Sequence, residues 1–204
     1  MDCDRMKNSS AQREGDTQLD IIGVAERLFH EVGFQKTTVG DIARELHMSP
    51  ANVYRFFGAK AEINVAVCSR IFGEIEASAT KIARASGPAG KSLRNLMAAI
   101  EDLNSQRFLS DRKLHELFET AYNENWPIVR EHADKMDKIL AQIISRGMAA
   151  GEFKAGDSEL AAILVRSACV RFLHPRLMVE CAQDPEPTLD QMIDFCLAAL
   201  AERA

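Results

Sequence analysis

Apolar and polar residues alternate with helical spacing between Thr38 and Lys60, and the pattern divides into two short helices joined by a tight turn. Thr38 followed three residues later by Asp41 is typical of a capping box at the start of the first helix. Ser49 can accept hydrogen bonds from the free amides of the second helix, and Pro50 sits where a missing N–H does no harm. The pattern therefore predicts a helix-turn-helix unit.

The second helix of this unit has an apolar face and a polar face. Val53, Phe56 and Phe57 are neighbours at helical spacing, and we expect them to pack on the helices beneath. The other face carries amide, phenol and guanidinium groups, and residues 49–60 contain no acidic side chain. Such groups suit the major groove of DNA, where amides and guanidinium groups bridge base edges while phenols and free helix amides hold phosphates. The candidate DNA-binding residues are Thr38, Ser49, Pro50, Ala51, Asn52, Tyr54, Arg55 and Lys60.

The same region resembles the amino-terminal domain of the TetR family of bacterial transcriptional repressors, over about residues 19 to 66. The matching positions are Thr38, Ile42, Ala43, Met48, Ser49, Ala51, Val53, Tyr54, Phe57 and Lys60, and residues 21–29, 33–34 and 37–38 match the first helix and its turn. Two positions depart from the family pattern, because Ala51 replaces a frequent glycine and Phe56 a frequent histidine or tyrosine. Phe56 cannot hydrogen-bond a phosphate oxygen. Both departures keep the helix-turn-helix architecture, but they alter the contacts that the second helix can make with DNA.

Helical spacing continues to the end of the chain, and no segment reads as a convincing strand. We predict an all-α fold of about nine helices, in which an N-terminal three-helix helix-turn-helix domain is joined by a long helix to a larger helical domain for ligand binding and dimerisation. The predicted boundaries are a disordered arm over residues 1–16, the DNA-binding domain over 17–60 and the larger domain over 61–204. Helix interruptions are predicted at Gly87–Gly90, Trp126–Pro127, Gly151–Asp157, His174–Pro175 and Asp184–Thr188.

The final predicted helix is apolar on nearly every side, so water cannot be its neighbour all round. Together with the helix before it, this helix can form a four-helix contact with the same pair in a second subunit. The candidate dimer-interface residues are Leu160, Ile163, Leu164, Met192, Ile193, Phe195, Leu197 and Leu200. Two-fold pairing would set two DNA-reading helices about 34 Å apart, or a multiple of this distance, and the operator would be palindromic.

The overall charge is opposite in sign to that of many dedicated DNA-binding domains. The chain has 25 Lys and Arg residues against 30 Asp and Glu residues, a formal net charge of −5, which weakens non-specific binding to DNA. Residues 38–60 reverse this balance, with three basic side chains against two acidic ones. The acidic total is compatible with an opposing interpretation, in which the chain is a helical protein that has no nucleic-acid partner.

Catalytic and metal-binding patterns are weak throughout the chain. His115, Glu116 and Glu119 invite comparison with the zinc-protease motif, but its second histidine is missing. His115 and Glu119 could hold a metal ion, and a solvated or ligand-facing pair is the favoured interpretation. The five cysteines lack metal-type spacing and are expected to be reduced. We predict no enzymatic activity, no cofactor and no metal site. No long apolar run or signal-peptide pattern occurs, which predicts a cytoplasmic protein without a membrane partner.

The resemblance implies a cavity for an unknown small-molecule effector among the middle helices. The candidate ligand-binding residues are Met97, Phe108, His115, Phe118, Tyr122 and Trp126, although core packing alone is the favoured role for each of them taken individually. The leading hypothesis is a transcriptional repressor that binds a palindromic operator in double-stranded DNA as a homodimer and is released by a small molecule. An effector-independent DNA-binding protein that answers to a protein partner is the alternative, and a helical enzyme or scaffold is the remote one.

Overall fold

The computed structural model describes residues 2–109, 111–184 and 186–202 of the chain, with side chains for all of these except residues 2–11, 108 and 109. Within these ranges the protein forms eleven α-helices and one π-helical turn, without any strand. The all-α prediction is confirmed, with more helices than the nine expected. The chain divides into two compact units, Met1–Arg70 and Ile71–Ala204, so the first unit extends beyond the boundary predicted at residue 60.

The first unit contains α1 (Asp2–Glu31), α2 (Val39–Glu45), α3 (Pro50–Tyr54) and the start of α4 (Lys60–Arg84). Because α1 begins at Asp2, the described part of the arm predicted as disordered over residues 1–16 is helical instead, and Met1 lies outside the described residues. Side chains over residues 12–20 are almost all exposed. The lack of apolar periodicity in this stretch indicates that it packs on no other part of the described chain, and not that it lacks a helix. A helical backbone pairs its own amides and carbonyls without burying a face.

A small apolar core fixes α1, α2 and α3 against one another. The side chains at its centre are fully buried, and they are Ile21, Phe29, Ile42 and Val53. The rings of Phe29 and Phe34 meet edge to face with centroids 6.3 Å apart. At the edge of this core, Arg27 of α1 forms a salt bridge with Glu45 of α2 at 2.6 Å, which also holds these two helices together.

The second unit contains the remainder of α4 and seven further helices in the described residues. A π-helical turn over Ser105–Leu109 separates the first of these seven helices from the other six. The elements are α5 (Ala89–Asn104), α6 (Arg112–Asn123), α7 (Pro127–Ala149), α8 (Ser158–Ala168), α9 (Val170–Leu173), α10 (Pro175–Glu180) and α11 (Leu189–Leu200).

Most helix boundaries lie where the sequence signals predict them. Asp111 and Asp157 accept hydrogen bonds from the first amides of α6 and α8, and Thr188 forms a capping box with Gln191 at the start of α11. The segment between Asp157 and Cys181 was expected to break only at His174–Pro175, but a second break occurs at Cys169. Cys169 carries no proline or glycine signal, so the sequence pattern does not reveal it.

The core of the second unit lies where α5, α6 and α7 meet α4. Phe72 of α4 packs edge to face on Phe118 of α6, with ring centroids 5.1 Å apart. Arg146 of α7 donates to the carbonyls of Ala83 at 2.6 Å and Ala85 at 3.2 Å, and to the Oγ atom of Ser92 at 2.8 Å. One guanidinium group therefore joins the end of α4 to α5 and α7.

Two further properties of the described residues complete the fold. The side chains of Cys68, Cys169, Cys181 and Cys196 carry free thiols, while the side chain of Cys3 lies outside the described residues. None of the helices searched in the described ranges is long and apolar enough to cross a membrane.

Candidate functional site

The turn between α2 and α3 is closed by backbone hydrogen bonds. His47 adopts a left-handed conformation with φ of 53°. Its amide donates to the carbonyl of Arg44 at 3.1 Å, and the amide of Met48 donates to the carbonyl of Ala43 at 2.9 Å. These bonds pair the last free carbonyls of α2 in the pattern of a Schellman motif, although glycine is the usual residue at such a position. The angle between the two helices is therefore fixed locally.

Both helices begin at the predicted caps. Thr38 accepts from the amide of Asp41 at 3.1 Å, and the Asp41 carboxylate accepts from the Thr38 amide at 2.9 Å and from its hydroxyl at 2.6 Å. These bonds to Thr38, together with the bond from Arg44, lower the pKa of the Asp41 carboxyl below its usual value. The Ser49 hydroxyl accepts from the amide of Asn52 at 3.2 Å. The Thr38 side chain is thus already occupied by its own helix.

The outward face of α3 carries most of the predicted DNA-binding side chains. Val53 and Phe57 are buried beneath it and Phe56 is half-buried, as the spacing predicts. Ser49, Pro50, Ala51, Tyr54 and Arg55 are all exposed. Half of the Tyr54 surface is accessible, at 50%.

Asn52, Arg55 and Lys60 also have partners within the protein. Asn52 is half-buried, and its Oδ1 atom accepts from Arg55 at 3.4 Å. Lys60 donates to the backbone carbonyl of Gln35 at 3.2 Å, so its ammonium group is tied to the loop after α1. Burial lowers the pKa of Lys60, an effect that the nearby Asp41 opposes.

A cavity of about 120 Å³ lies among α5, α6, α7, α8 and α9. Of the predicted ligand-binding residues, Met97 and Tyr122 line this cavity. The sequence analysis did not single out the polar residues on its wall, which are Asn104, His132, Arg166 and His174. Among these four residues, the sequence pattern draws attention only to His174, because it precedes the proline at which a helix break is predicted.

The other predicted ligand-binding residues lie elsewhere. Phe118 is fully buried as a core side chain. His115 lines a separate groove with Glu119 and Arg176. The indole N–H of Trp126 donates to Glu124 at 2.8 Å beside the start of α7. The side chain of Phe108 lies outside the described residues.

Two of the ionisable groups on the cavity wall, Arg166 and His132, already have partners. Arg166 forms two hydrogen bonds with the Asp137 carboxylate, at 2.5 Å and 3.0 Å. The Nδ1 atom of His132 lies 2.9 Å from Glu76, and its ring stacks on Phe72 with centroids 4.0 Å apart. Burial lowers the pKa of His132, against the opposing effect of Glu76, so this imidazole is neutral near pH 7.

An exposed apolar face runs along α8 and α11. Leu160, Ile163, Leu164 and Phe195 are exposed, with 60% of Leu164 and 69% of Phe195 accessible. A groove of about 470 Å³ runs beside Leu160, Leu164 and Phe195. Two of the predicted interface residues, Met192 and Leu197, are only half-buried.

Two others are buried, because Ile193 and Leu200 have only 1% and 7% of their surface accessible. These last two belong to the chain's own core rather than to an exposed face, because positions 193, 196 and 200 lie on one side of the helix.

Comparison with known proteins places this architecture in a family. Residues 21–67 match the family described as bacterial regulatory proteins, tetR family, and residues 89–192 match the tetracyclin repressor-like C-terminal domain. An uncharacterised helix-turn-helix transcriptional regulator of Bacillus subtilis (strain 168), YhgD, is 27% identical over 153 residues, which cover 71% of this chain and 76% of that protein.

Solved structures share the fold. SmeT, the repressor of the Stenotrophomonas maltophilia multidrug efflux pump SmeDEF, aligns with a TM-score of 0.66 at 20% identity, over 92% of this chain and 91% of its own. A TetR/AcrR-family regulator from Thermobifida fusca YX-ER1 aligns with a TM-score of 0.63 at 23% identity, over 90% of this chain and 95% of its own. The C-terminal match alone spans just over half of the sequence, and the N-terminal match covers the helix-turn-helix unit. The chain belongs to the TetR family of DNA-binding transcriptional regulators.

Proposed function

We propose that this protein is a repressor that binds a palindromic operator as a homodimer and releases it when a small molecule binds. The observation that carries the DNA-binding part is the outward face of α3, from Ser49 to Arg55. This face is exposed, lacks acidic side chains and is held by a capped helix start and a closed turn. Exposed donors on a fixed helix are what readout of base edges requires.

The roles of the individual residues follow from their chemistry and their position on α3. Arg55 and Asn52 are proposed to contact base edges, and Tyr54 to contact a phosphate. Ala51 presents a methyl group that can contact thymine. Lys60 and Thr38 already have partners within the protein, so their proposed part is to hold the unit in shape and to add positive or polar surface near the DNA backbone.

The exposed face of α8 and α11 supports the proposal of a homodimer. Leu164 and Phe195 are large apolar side chains whose exposure to water is unfavourable, and covering them removes apolar surface from solvent. A second copy related by a two-fold axis would present the same face in return. Two copies of α3 would then meet successive major grooves of a palindromic site.

Release by a ligand requires a preference between two arrangements of the dimer. Moving a population from about 99% to about 1% binding-competent needs a preference of about 10⁴-fold for the other arrangement, or about 5.5 kcal/mol. The proposed effector site is the cavity beside Met97 and Tyr122.

Direct binding to DNA tests the proposal. Fluorescence anisotropy of a labelled fragment from upstream of the protein's own gene, compared with a scrambled fragment of equal length, should show specific binding with two chains per site. Analytical ultracentrifugation gives the oligomeric state under the same conditions. A stable monomer that treats both fragments alike at low salt would refute the proposal.

A second candidate function is an effector-independent regulator that answers to a protein partner. The small cavity supports it, because about 120 Å³ is below the roughly 300–1,000 Å³ of many ligand sites. Thermal unfolding in the presence of small neutral molecules separates the two candidates. Stabilisation that is lost when the cavity wall is changed supports an effector, whereas the absence of any stabilisation supports the second candidate.

A further inference from the structure

Two buried polar atoms on the wall of the cavity lack a hydrogen-bond partner among the described residues. They are the Oδ1 atom of Asn104 and the Nδ1 atom of His174. Asn104 is only 5% exposed, and both residues line the cavity. Buried polar atoms in folded proteins are almost always paired, so two unpaired atoms in one cavity indicate that something else supplies the partner.

A hydrogen bond to the backbone brings the two residues together. The side-chain amide of Asn104 donates to the carbonyl of Leu173 at 3.0 Å, and His174 is the next residue along the chain. Asn104 is the last residue of α5, directly before the π-helical turn, and His174 occupies the break between α9 and α10. Irregular helix geometry of this kind is frequent at functional sites.

The remainder of the wall indicates the character of the ligand. The Tyr122 ring lies against the His174 ring with centroids 4.2 Å apart, and most of the other lining residues are apolar, including Met97 and Leu140. Arg166 is neutralised by Asp137, as described above. Burial and the nearby Arg176 lower the pKa of His174, against a smaller opposing effect of Glu180, so this side chain is neutral near pH 7. No uncompensated charge in the described wall would hold an ion.

The volume sets the size of the ligand. An apolar cavity of about 150 Å³ accommodates benzene, and this cavity has about 120 Å³. Because this cavity is slightly smaller than that one, a single six-membered ring with no more than one small substituent is the largest ligand that we expect it to hold.

We propose that the cavity binds a neutral, single-ring molecule that carries one hydroxyl group, such as a phenol. The hydroxyl donates to the Oδ1 atom of Asn104 and accepts from the Nδ1–H group of His174, while the ring lies among the apolar side chains. This inference rests on the proposed function in one respect only, which is that the molecule bound in the cavity is taken to be the effector that releases the DNA.

Calorimetric titration of the full chain without DNA tests the inference. Phenol is the probe, toluene is the ring of similar size without a hydroxyl, and benzoate is the charged ring. We expect one phenol site per chain. Toluene should bind at least about fivefold more weakly, as expected for the loss of hydrogen bonds to buried atoms, and benzoate should not bind.

His174→Phe and its matched control His115→Phe locate the site. Both histidines have a buried, unpaired Nδ1 atom, but His115 lines the other groove. We expect His174→Phe to weaken phenol binding by at least about fivefold, and His115→Phe to leave it unchanged. Far-ultraviolet circular dichroism establishes that both variants are folded, and the comparison of the three ligands on the unmodified protein does not depend on either variant.

Equal binding of phenol and toluene, or no binding of phenol at all, would overturn the inference. A protein that binds its operator but not phenol refutes the inference alone. A protein that binds phenol but not DNA refutes the proposed function and leaves the inference standing.

Discussion

Gly147 of α7 lies directly against the ring of Phe153, so closely that an added Cβ atom would be 2.3 Å from the Cδ2 atom of Phe153. The same Cβ atom would lie 2.8 Å from the Cβ atom of Ala89 at the start of α5. Phe153 is buried. Close approach of these three residues explains why a helix-weakening glycine stands in the last turns of α7.

Gly147→Ala is therefore expected to lower the free energy of unfolding by about 1–3 kcal/mol, the usual effect of overpacking a core. The matched control is Gly73→Ala in α4, where nothing lies within 4 Å of the added atom. This control should gain about 0.5–1 kcal/mol from better helix propensity. Urea unfolding of both variants measures the difference, and a stabilised Gly147→Ala protein would contradict the packing described.

His47 carries the left-handed turn between α2 and α3, a conformation that disfavours side chains with a Cβ atom. His47→Gly should raise the free energy of unfolding by up to about 1 kcal/mol, because removal of this strain outweighs the greater freedom of glycine when unfolded. His47→Val should lower it, since β-branched residues tolerate positive φ poorly. Thermal unfolding of the three proteins gives the order, and a His47→Val protein as stable as the original would argue against the turn geometry.

Arg55→Ala should weaken operator binding by about 1–3 kcal/mol and relax the preference at one base pair. Tyr54→Phe should weaken binding to all sequences alike, as the loss of a phosphate contact does. Arg130→Ala is the control, because it removes the same charge from an exposed position of α7 in the second unit. Anisotropy titrations against the operator and its single-base variants measure both effects. An Arg55→Ala protein with unchanged affinity and preference would remove Arg55 from the site.

Phe195→Glu and Leu164→Glu should each shift the proposed homodimer toward monomer, because a carboxylate would be buried on both sides of the proposed two-fold contact. Leu19→Glu is the control, since Leu19 is an equally exposed apolar residue on α1. Sedimentation equilibrium gives the dissociation constant of each variant. Unchanged association of Phe195→Glu would show that α11 is not in the contact.

The lowered pKa of His132 makes stability depend on pH. The unfolded chain binds a proton at His132 near pH 6.5 while the folded chain does not, so stability is present above this pH and is lost as the pH falls. His132→Gln should therefore show a smaller loss between about pH 7.5 and pH 5.5 than the unmodified protein does. Urea unfolding at the two pH values measures the change. Equal losses in both proteins would mean that folding does not lower the pKa of His132.

The helix-turn-helix unit was predictable because its signals are local. Thr38, Ser49 and Pro50 determine helix starts through bonds within one turn, and Val53 and Phe57 repeat at helical spacing. The cavity was harder to predict, because Asn104 and His174 are distant in sequence and are brought together only by tertiary packing. Met97 and Tyr122 were identified by size and polarity, but the same criterion also selected Phe118, which is an ordinary core residue.

The final helix illustrates the limit of composition as a guide. Its sequence has almost no polar face, so Ile193 and Phe195 were assigned to the same interface. In the fold they point in opposite directions, because residues two positions apart on a helix differ by more than half a turn. The composition of this helix predicts apolar contacts on two of its sides. Only its orientation in the fold shows that the Ile193 side faces the chain's own core and that the Phe195 side is exposed.

The guanidinium group of Arg146 has a consequence for local motion. Helix ends normally fray, and their amides exchange with solvent quickly. Here the last turn of α4 is pinned through the carbonyls of Ala83 and Ala85 by Arg146 in the last turn of α7, and the same guanidinium group also donates to Ser92 of α5. Opening that turn requires the bonds of this shared guanidinium group to break as well, so these three helix ends should open together, and deuterium uptake at the end of α4 should be slower than at an ordinary helix end.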